Sequence, residues 1–187
     1  MVRLHDYGDC LVNDYPSSAR RLLSYAPGSR GERNLLASFG NTPRCLEGEG
    51  AVEQLYFQRE MLRGIVAEAI LRADAEPAPP GERVQRSAPF SRLSDSDIAA
   101  LDEKGRLSLL GLMLAQCIDA AAPDAVAALF KTDPLSPDED RAFRQIGPQL
   151  SPCLKEGAEM KIGKPQLRGF LAEARYRAAY AAAHPAK

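Results

Sequence analysis

The chain has 187 residues, 45% hydrophobic and 26% charged, a balance ordinary for a globular fold. Its formal net charge of −1 excludes the basic footprint expected of a nucleic-acid binder. Neither half hides one, since residues 1–73 hold nine Arg against nine Asp plus Glu, and residues 106–187 hold eleven Arg plus Lys against nine.

Residues Met1 to Asp6 carry no apolar export signal. A first helix is expected around Leu4, Tyr7, Cys10 and Leu11. Pro16 then opens a short helix with Leu22 and Leu23, and Pro27 stops it. Ser29-Arg30-Gly31-Glu32 fits a capping box, in which serine and glutamate satisfy orphan N–H groups at a helix start. The helix it begins carries Leu35, Leu36 and Phe39, with Gly40 as its expected C-cap. Cys45, a loop at 47–51 and an extended stretch at 54–57 lead to a helix from about Arg59. Its stripe of Leu62, Ile65, Val66 and Ala69 has amphipathic spacing. A proline-rich linker, residues 74–93, follows.

After the linker the same order returns. Ser94 to Asp97 is expected to cap a short helix over Ile98 to Leu101. The next helix shows Leu110, Met113, Leu114, Cys117 and Ile118 as its apolar face. Leu107 to Ala122 is the most apolar stretch, yet it is too short and too polar at Gln116 and Asp119 to span a bilayer. Pro123 opens a short helix with Val126, Leu129 and Phe130, and Pro134 stops it. Ser136 and Glu139 repeat the capping box, Phe143 and Ile146 the apolar face, and Gly147 the closing glycine. Cys153, a loop at 155–159 and an extended segment at 159–162 precede a last helix from Lys164-Pro165. The alanine-rich tail from Ala179 to Lys187 is expected to fray.

The correspondence is close. Leu62-Arg63-Gly64-x-x-Ala67-Glu68-Ala69-x-x-Arg72 returns as Leu167-Arg168-Gly169-x-x-Ala172-Glu173-Ala174-x-x-Arg177, at an offset of 168 − 63 = 105. Cys10, Pro16, Leu22, Pro27 and Gly40 all recur 107 positions later, and Cys45 recurs 108 later. These intervals predict an all-α fold made by tandem duplication of a roughly four-helix unit. Unit 1 covers residues 1–73, the linker 74–93, and unit 2, with its leading helix and tail, 94–187.

Two sets of residues are candidates for chemistry. The four cysteines form no C-x-x-C pair, and His5 and His184 are too few to complete a zinc site. Either each unit buries two free thiols, or Cys10 pairs with Cys45 and Cys117 with Cys153. Disulfides would stabilise each unit by about 4 kcal/mol in the chain-entropy model and imply a periplasmic or otherwise oxidising location. Free thiols would imply the cytoplasm. The second set is the shared motif: Arg63, Gly64, Glu68 and Arg72 with Arg168, Gly169, Glu173 and Arg177. Glycine inside a helix costs about 1 kcal/mol against alanine, so its presence in both copies implies close helix packing. Glu68 with Arg72 and Glu173 with Arg177 are favourable i, i+4 pairs. A ligand-binding or catalytic role for the arginines and glutamates is the competing reading. No calcium loop, phosphate loop or nucleophile elbow occurs, so neither metal nor cofactor is expected.

The pattern Cys10…Ala19-x-x-Leu22-Leu23…Pro27-Gly28-Ser29…Cys45-Leu46…Leu62-Arg63-Gly64 and onward resembles that of small uncharacterised bacterial proteins, often predicted to be exported. The resemblance covers both units, residues 4–73 and 107–178, and implies a helical fold and the periplasm, with no activity attached. The leading expectation is a non-enzymatic binding or scaffold protein that engages a protein or peptide partner. Its alternative is a carrier of a small apolar ligand in a pocket between the units, and an enzyme built on Glu68 and Glu173 ranks last. The sequence leaves the oligomeric state open.

Overall fold

The structure, a computed structural model, describes residues 4–39, 45, 59–75, 94–154 and 160–183. Among these residues every regular element is a helix. In the first half they are α1 (Leu4–Asp14), α2 (Pro16–Ser24), α3 (Arg30–Phe39) and α4 (Arg59–Ala75). The second half has α5 (Asp95–Ala99), α6 (Glu103–Ala121), α7 (Pro123–Leu129), α8 (Pro137–Ile146), α9 (Leu150–Cys153) and α10 (Lys164–Ala183), with a 3-10 turn at Gly147–Gln149 before α9.

The proline and serine signals act where the sequence puts them. Pro16 and Pro123 occupy the first turns of α2 and α7, and the side chains of Ser29 and Ser136 accept the N–H groups of Glu32 and Glu139. Other boundaries moved. The short helix begins at Asp95 behind a capping box of Ser94 and Asp97, earlier than expected. Gly147 is the C-cap of α8 as expected, but with φ −45°, a right-handed value, so the chain continues from it directly into the 3-10 turn. Residues 160–163 have no regular structure, and α10 continues through Ala183 rather than fraying from Ala179. The expected segments at Gly40, 47–51, 54–57, 76–93 and 155–159 lie outside the described residues, as does His184.

Two cores form. The first gathers Leu11, Leu22, Leu23, Leu35, Phe39, Val66 and Ile70. The second gathers Leu112, Ile118, Val126, Leu129, Phe143, Ile146 and Leu171. They are not separate bodies: Ala172 and Tyr176 of α10 belong to the first core, and α10 packs most extensively on α4 and then on α6. At the other end of α4, the Arg20 guanidinium of α2 donates to both carboxylate oxygens of Asp74, at 2.7 and 3.2 Å.

The buried face of α6 differs from the expected one. Leu114 and Ile118 are buried as the spacing predicts, but Leu110 and Met113 are exposed. The reason is close approach by neighbours, α10 at Gly111 and the Pro27–Gly28 turn at Gly105. Gly105, Ser108, Gly111 and Ala115 face inward instead, and a Cβ at Gly111 would lie 2.4 Å from the Phe170 ring. Small residues let the helices meet, and the larger side chains are displaced to the outer flank.

The turns before α3 and α8 contain the positive backbone angles among the described residues, Gly28 at φ 79° and Leu135 at φ 61°. Glycine tolerates this region freely, whereas a leucine there is strained by about 1–2 kcal/mol. Leu135 is also 84% exposed, so its side chain contributes little packing in return. Leu135→Gly is therefore expected to raise stability by about 0.5–1 kcal/mol, after allowing for the extra freedom glycine gives the unfolded chain. Urea unfolding monitored by far-UV circular dichroism measures it.

Candidate functional site

The repeated motif residues converge on one place, the crossing of α4 and α10. Gly64 and Gly169 face each other there. A Cβ built on Gly64 would sit 2.1 Å from the Cα of Gly169 and 2.9 Å from its carbonyl oxygen. The expectation that each glycine lies against another helix is met in a specific form: each is the other's neighbour. Nothing larger than glycine fits without driving the helices apart.

Around this contact the arginines and glutamates are buried and pair across the crossing. Arg63 Nε and Nη2 donate to Glu173 Oε2 and Oε1 at 2.8 and 2.5 Å. Arg168 Nε and Nη2 donate to Glu68 Oε2 and Oε1 at 2.9 and 2.7 Å. Both are bidentate forks, the geometry that planar guanidinium and carboxylate favour. The i, i+4 pairs exist too, with Arg72 at 3.0 Å from Glu68 and Arg177 at 3.1 Å from Glu173. They flank the main interaction, which runs between α4 and α10 and was not foreseen from the helix spacing.

A second carboxylate reaches each fork. Arg63 Nη1 donates to Glu32 Oε1 at 3.0 Å, and Arg168 Nη1 to Glu139 Oε1 at 2.8 Å. These are the capping-box glutamates. Their other oxygens do not close the box on the serine N–H. Instead they accept the N–H of the residue before it, Gly28 at 2.6 Å and Leu135 at 2.8 Å. The positive φ at Gly28 and Leu135 accompanies this arrangement. Backbone carbonyls complete each shell: Arg63 donates to Leu22 and Tyr25, and Arg168 to Thr132. Sequence reasoning assigned Glu32 and Glu139 to helix starts alone. Their recurrence at the same place in both halves was the available signal that they had a second partner.

The electrostatics follow from burial opposed by pairing. Burial would push Arg63 down, but the charges of Glu173 and Glu32 outweigh it and hold the guanidinium above its ordinary value. Arg168 is raised in the same way by Glu68 and Glu139 against its burial. Burial likewise opposes ionisation of Glu68, yet hydrogen bonds from Arg168 and His5 lower it to about 2. Glu173 is lowered by Arg63 and Arg177 despite its burial. His5 Nε2 lies 3.3 Å from Glu68 Oε1 and is partly exposed, and Arg72 also bonds Asp9 at 2.7 Å. Glu68 therefore sits among Arg168, Arg72 and His5, which already fill its hydrogen-bonding capacity. A general acid or base needs a carboxyl whose pKa lies near working pH and an approach for substrate. Neither condition holds for Glu68 or Glu173, both about 97% buried and both depressed.

The cysteine sulfurs lie at bonding distance in the expected partners. Cys10 and Cys45 are 2.07 Å apart and Cys117 and Cys153 2.02 Å, with Cα separations of 5.6 and 5.7 Å. Cys10, Asp14 and Cys45 are close enough to hold a metal ion in principle. Two of those three ligands would have to be free thiolates, which sulfurs at this distance are not.

Outside the crossing, a cavity of about 550 Å³ lies in the second half between α6, α8, α9 and the start of α10. Its lining includes Leu114, Phe143, Ile146, Leu150, Met160 and Ile162. All of these residues belong to the second half, so this cavity is distinct from the pocket expected between the two units. No protein-family model matches the chain, and no curated protein or solved structure matches it.

Two substitutions probe the crossing. Gly64→Ala is expected to cost about 3 kcal/mol, at the upper end for overpacking, because the new methyl meets backbone rather than a movable side chain. Arg63→Met should cost about 3–5 kcal/mol at pH 7, since Glu173 and Glu32 stay buried but lose the guanidinium they share. The folded wild type holds Glu68 and Glu173 below their unfolded values, so its stability is full above about pH 4.5 and falls as pH drops towards 2. In Arg63→Met, Glu173 and Glu32 take up protons more readily. The gap between variant and wild type should accordingly narrow between pH 7 and pH 4. Urea midpoints across that range check both expectations.

Proposed function

We propose that the protein is a non-catalytic binding protein, a helical duplication whose crossing is a structural brace and whose partner docks on the outer flank of α6. The observation that carries this reading is the exposure of Leu107, Leu110 and Met113 along one side of α6. Spaced at i, i+3 and i+6, they form an apolar strip of the kind an amphipathic helix covers. Asp102, Glu103, Lys104 and Arg106 are all exposed at the N-terminal end of the strip, which presents both signs of charge to a partner helix. Large apolar side chains held at half exposure or more on a well-braced helix are informative because that helix buries its small residues instead.

Several matched contacts support the duplication. Arg63 with Glu173 and Glu32 corresponds to Arg168 with Glu68 and Glu139. Tyr25 and Thr132 offer their carbonyls to the two arginines from positions 107 apart, and the positive-φ residues Gly28 and Leu135 are also 107 apart. The cysteine pairs, with sequence separations of 35 and 36, support an oxidising compartment such as the periplasm.

The test places a photo-activatable cross-linker at position 110 in the producing cell. A discrete adduct, abolished by Leu107→Glu and Met113→Glu in a protein whose melting temperature stays within about 2 °C of wild type, is expected. Absence of any adduct, or an adduct indifferent to both substitutions, would overturn the proposal. Sedimentation velocity on the same variants distinguishes a second copy of this chain from a different partner.

A further inference from the structure

We infer that the cavity in the second half binds a long-chain monocarboxylate, with the hydrocarbon chain inside and the carboxylate at the mouth. Its volume of about 550 Å³ falls in the range of small-molecule sites. Its lining divides by chemistry. Leu114, Phe143 and Ile146 are buried in the core, and Leu150, Met160 and Ile162 are half-buried against it. Three charged residues, Asp140, Arg144 and Lys164, also line it; Arg144 and Lys164 are exposed and the Asp140 side chain is about half exposed, so they mark the opening. An apolar interior with charges only at its mouth suits an amphiphile better than a polar metabolite.

The sign of the mouth selects the head group. Lys164 Nζ and Asp140 Oδ1 are paired at 2.7 Å and cancel. Arg144 has no ion pair among the described residues, and Asp140, four positions before it on α8, feels its charge. The N-terminus of α10 opens at Lys164, adding the positive end of a 20-residue helix. Among the described wall residues Arg144 and Lys164 outnumber Asp140 by one positive charge, which together with the helix N-terminus matches a single negative charge. A phosphate dianion would need more. This inference is independent of the α6 flank, because Leu107, Leu110 and Met113 are not part of the cavity wall.

The experiment uses the full oxidised chain and saturated carboxylates of eight, ten and twelve carbons, each below its critical micelle concentration, with dodecanol as the uncharged control. Calorimetric affinity should rise roughly fourfold per added methylene while the chain is being buried. Dodecanoate should bind at least tenfold more tightly than dodecanol, and Arg144→Glu should remove most of that difference without changing dodecanol binding. Leu150→Trp should fill the cavity and abolish both. Should that variant misfold, methyl shifts of Met160 and Ile162 in the wild type on adding dodecanoate locate the ligand instead. No binding, affinity indifferent to chain length, dodecanol binding as well as dodecanoate, or a ligand that leaves Met160 and Ile162 unperturbed would each overturn the proposal.

Discussion

Two helices touching backbone to backbone set the rest of this structure. With glycine at both Gly64 and Gly169, α4 and α10 approach until only main chain separates them. At that range there is no room for an apolar layer, and the side chains beside the contact, Arg63, Glu68, Arg168 and Glu173, lose their water. Buried charges are tolerable only when paired with good geometry and fully hydrogen-bonded. The bidentate forks, the reach of Glu32 and Glu139, and the carbonyls of Leu22, Tyr25 and Thr132 supply that. The turns preceding α3 and α8 are in turn tied to the glutamates, so the brace extends from the crossing into both halves.

A set of residues that looks reactive on paper is here tied up in structural contacts. Arginines and glutamates gathered in the middle of a protein invite an active-site reading. Here Glu68 and Glu173 are buried and held below their ordinary values by arginines, and Glu32 and Glu139 are anchored to backbone N–H groups. The parts of the surface and interior that remain open, the α6 flank and the cavity beside α8, lie away from the crossing.

Much of the fold was legible. The helix starts at Pro16, Ser29, Pro123, Ser136 and Lys164 follow from local chemistry, in which a missing or satisfied N–H is a property of one turn. The cysteine partners followed from their recurrence. What local reasoning lost were effects of one helix on another. Leu110 and Met113 are exposed because α10 approaches α6 over small residues, a fact about two helices that the periodicity of one does not carry. The i, i+4 pairs were visible because they lie within a helix, and the stronger forks were not because they join residues 110 and 100 positions apart. Glu32 and Glu139 were read as caps, a correct but incomplete assignment, because their second role depends on a neighbour from elsewhere in the chain.

The forks have one more property, which comes from their reciprocity. Arg63 and Glu68 lie on the same helix, as do Arg168 and Glu173, and each helix offers its arginine to the other's glutamate across a glycine. A surface of that kind is self-complementary, the condition for an isologous two-fold interface. Two copies of either helix could make it as well as the two helices present. Joining them in one chain then adds no new contact. It raises the effective concentration of one half for the other.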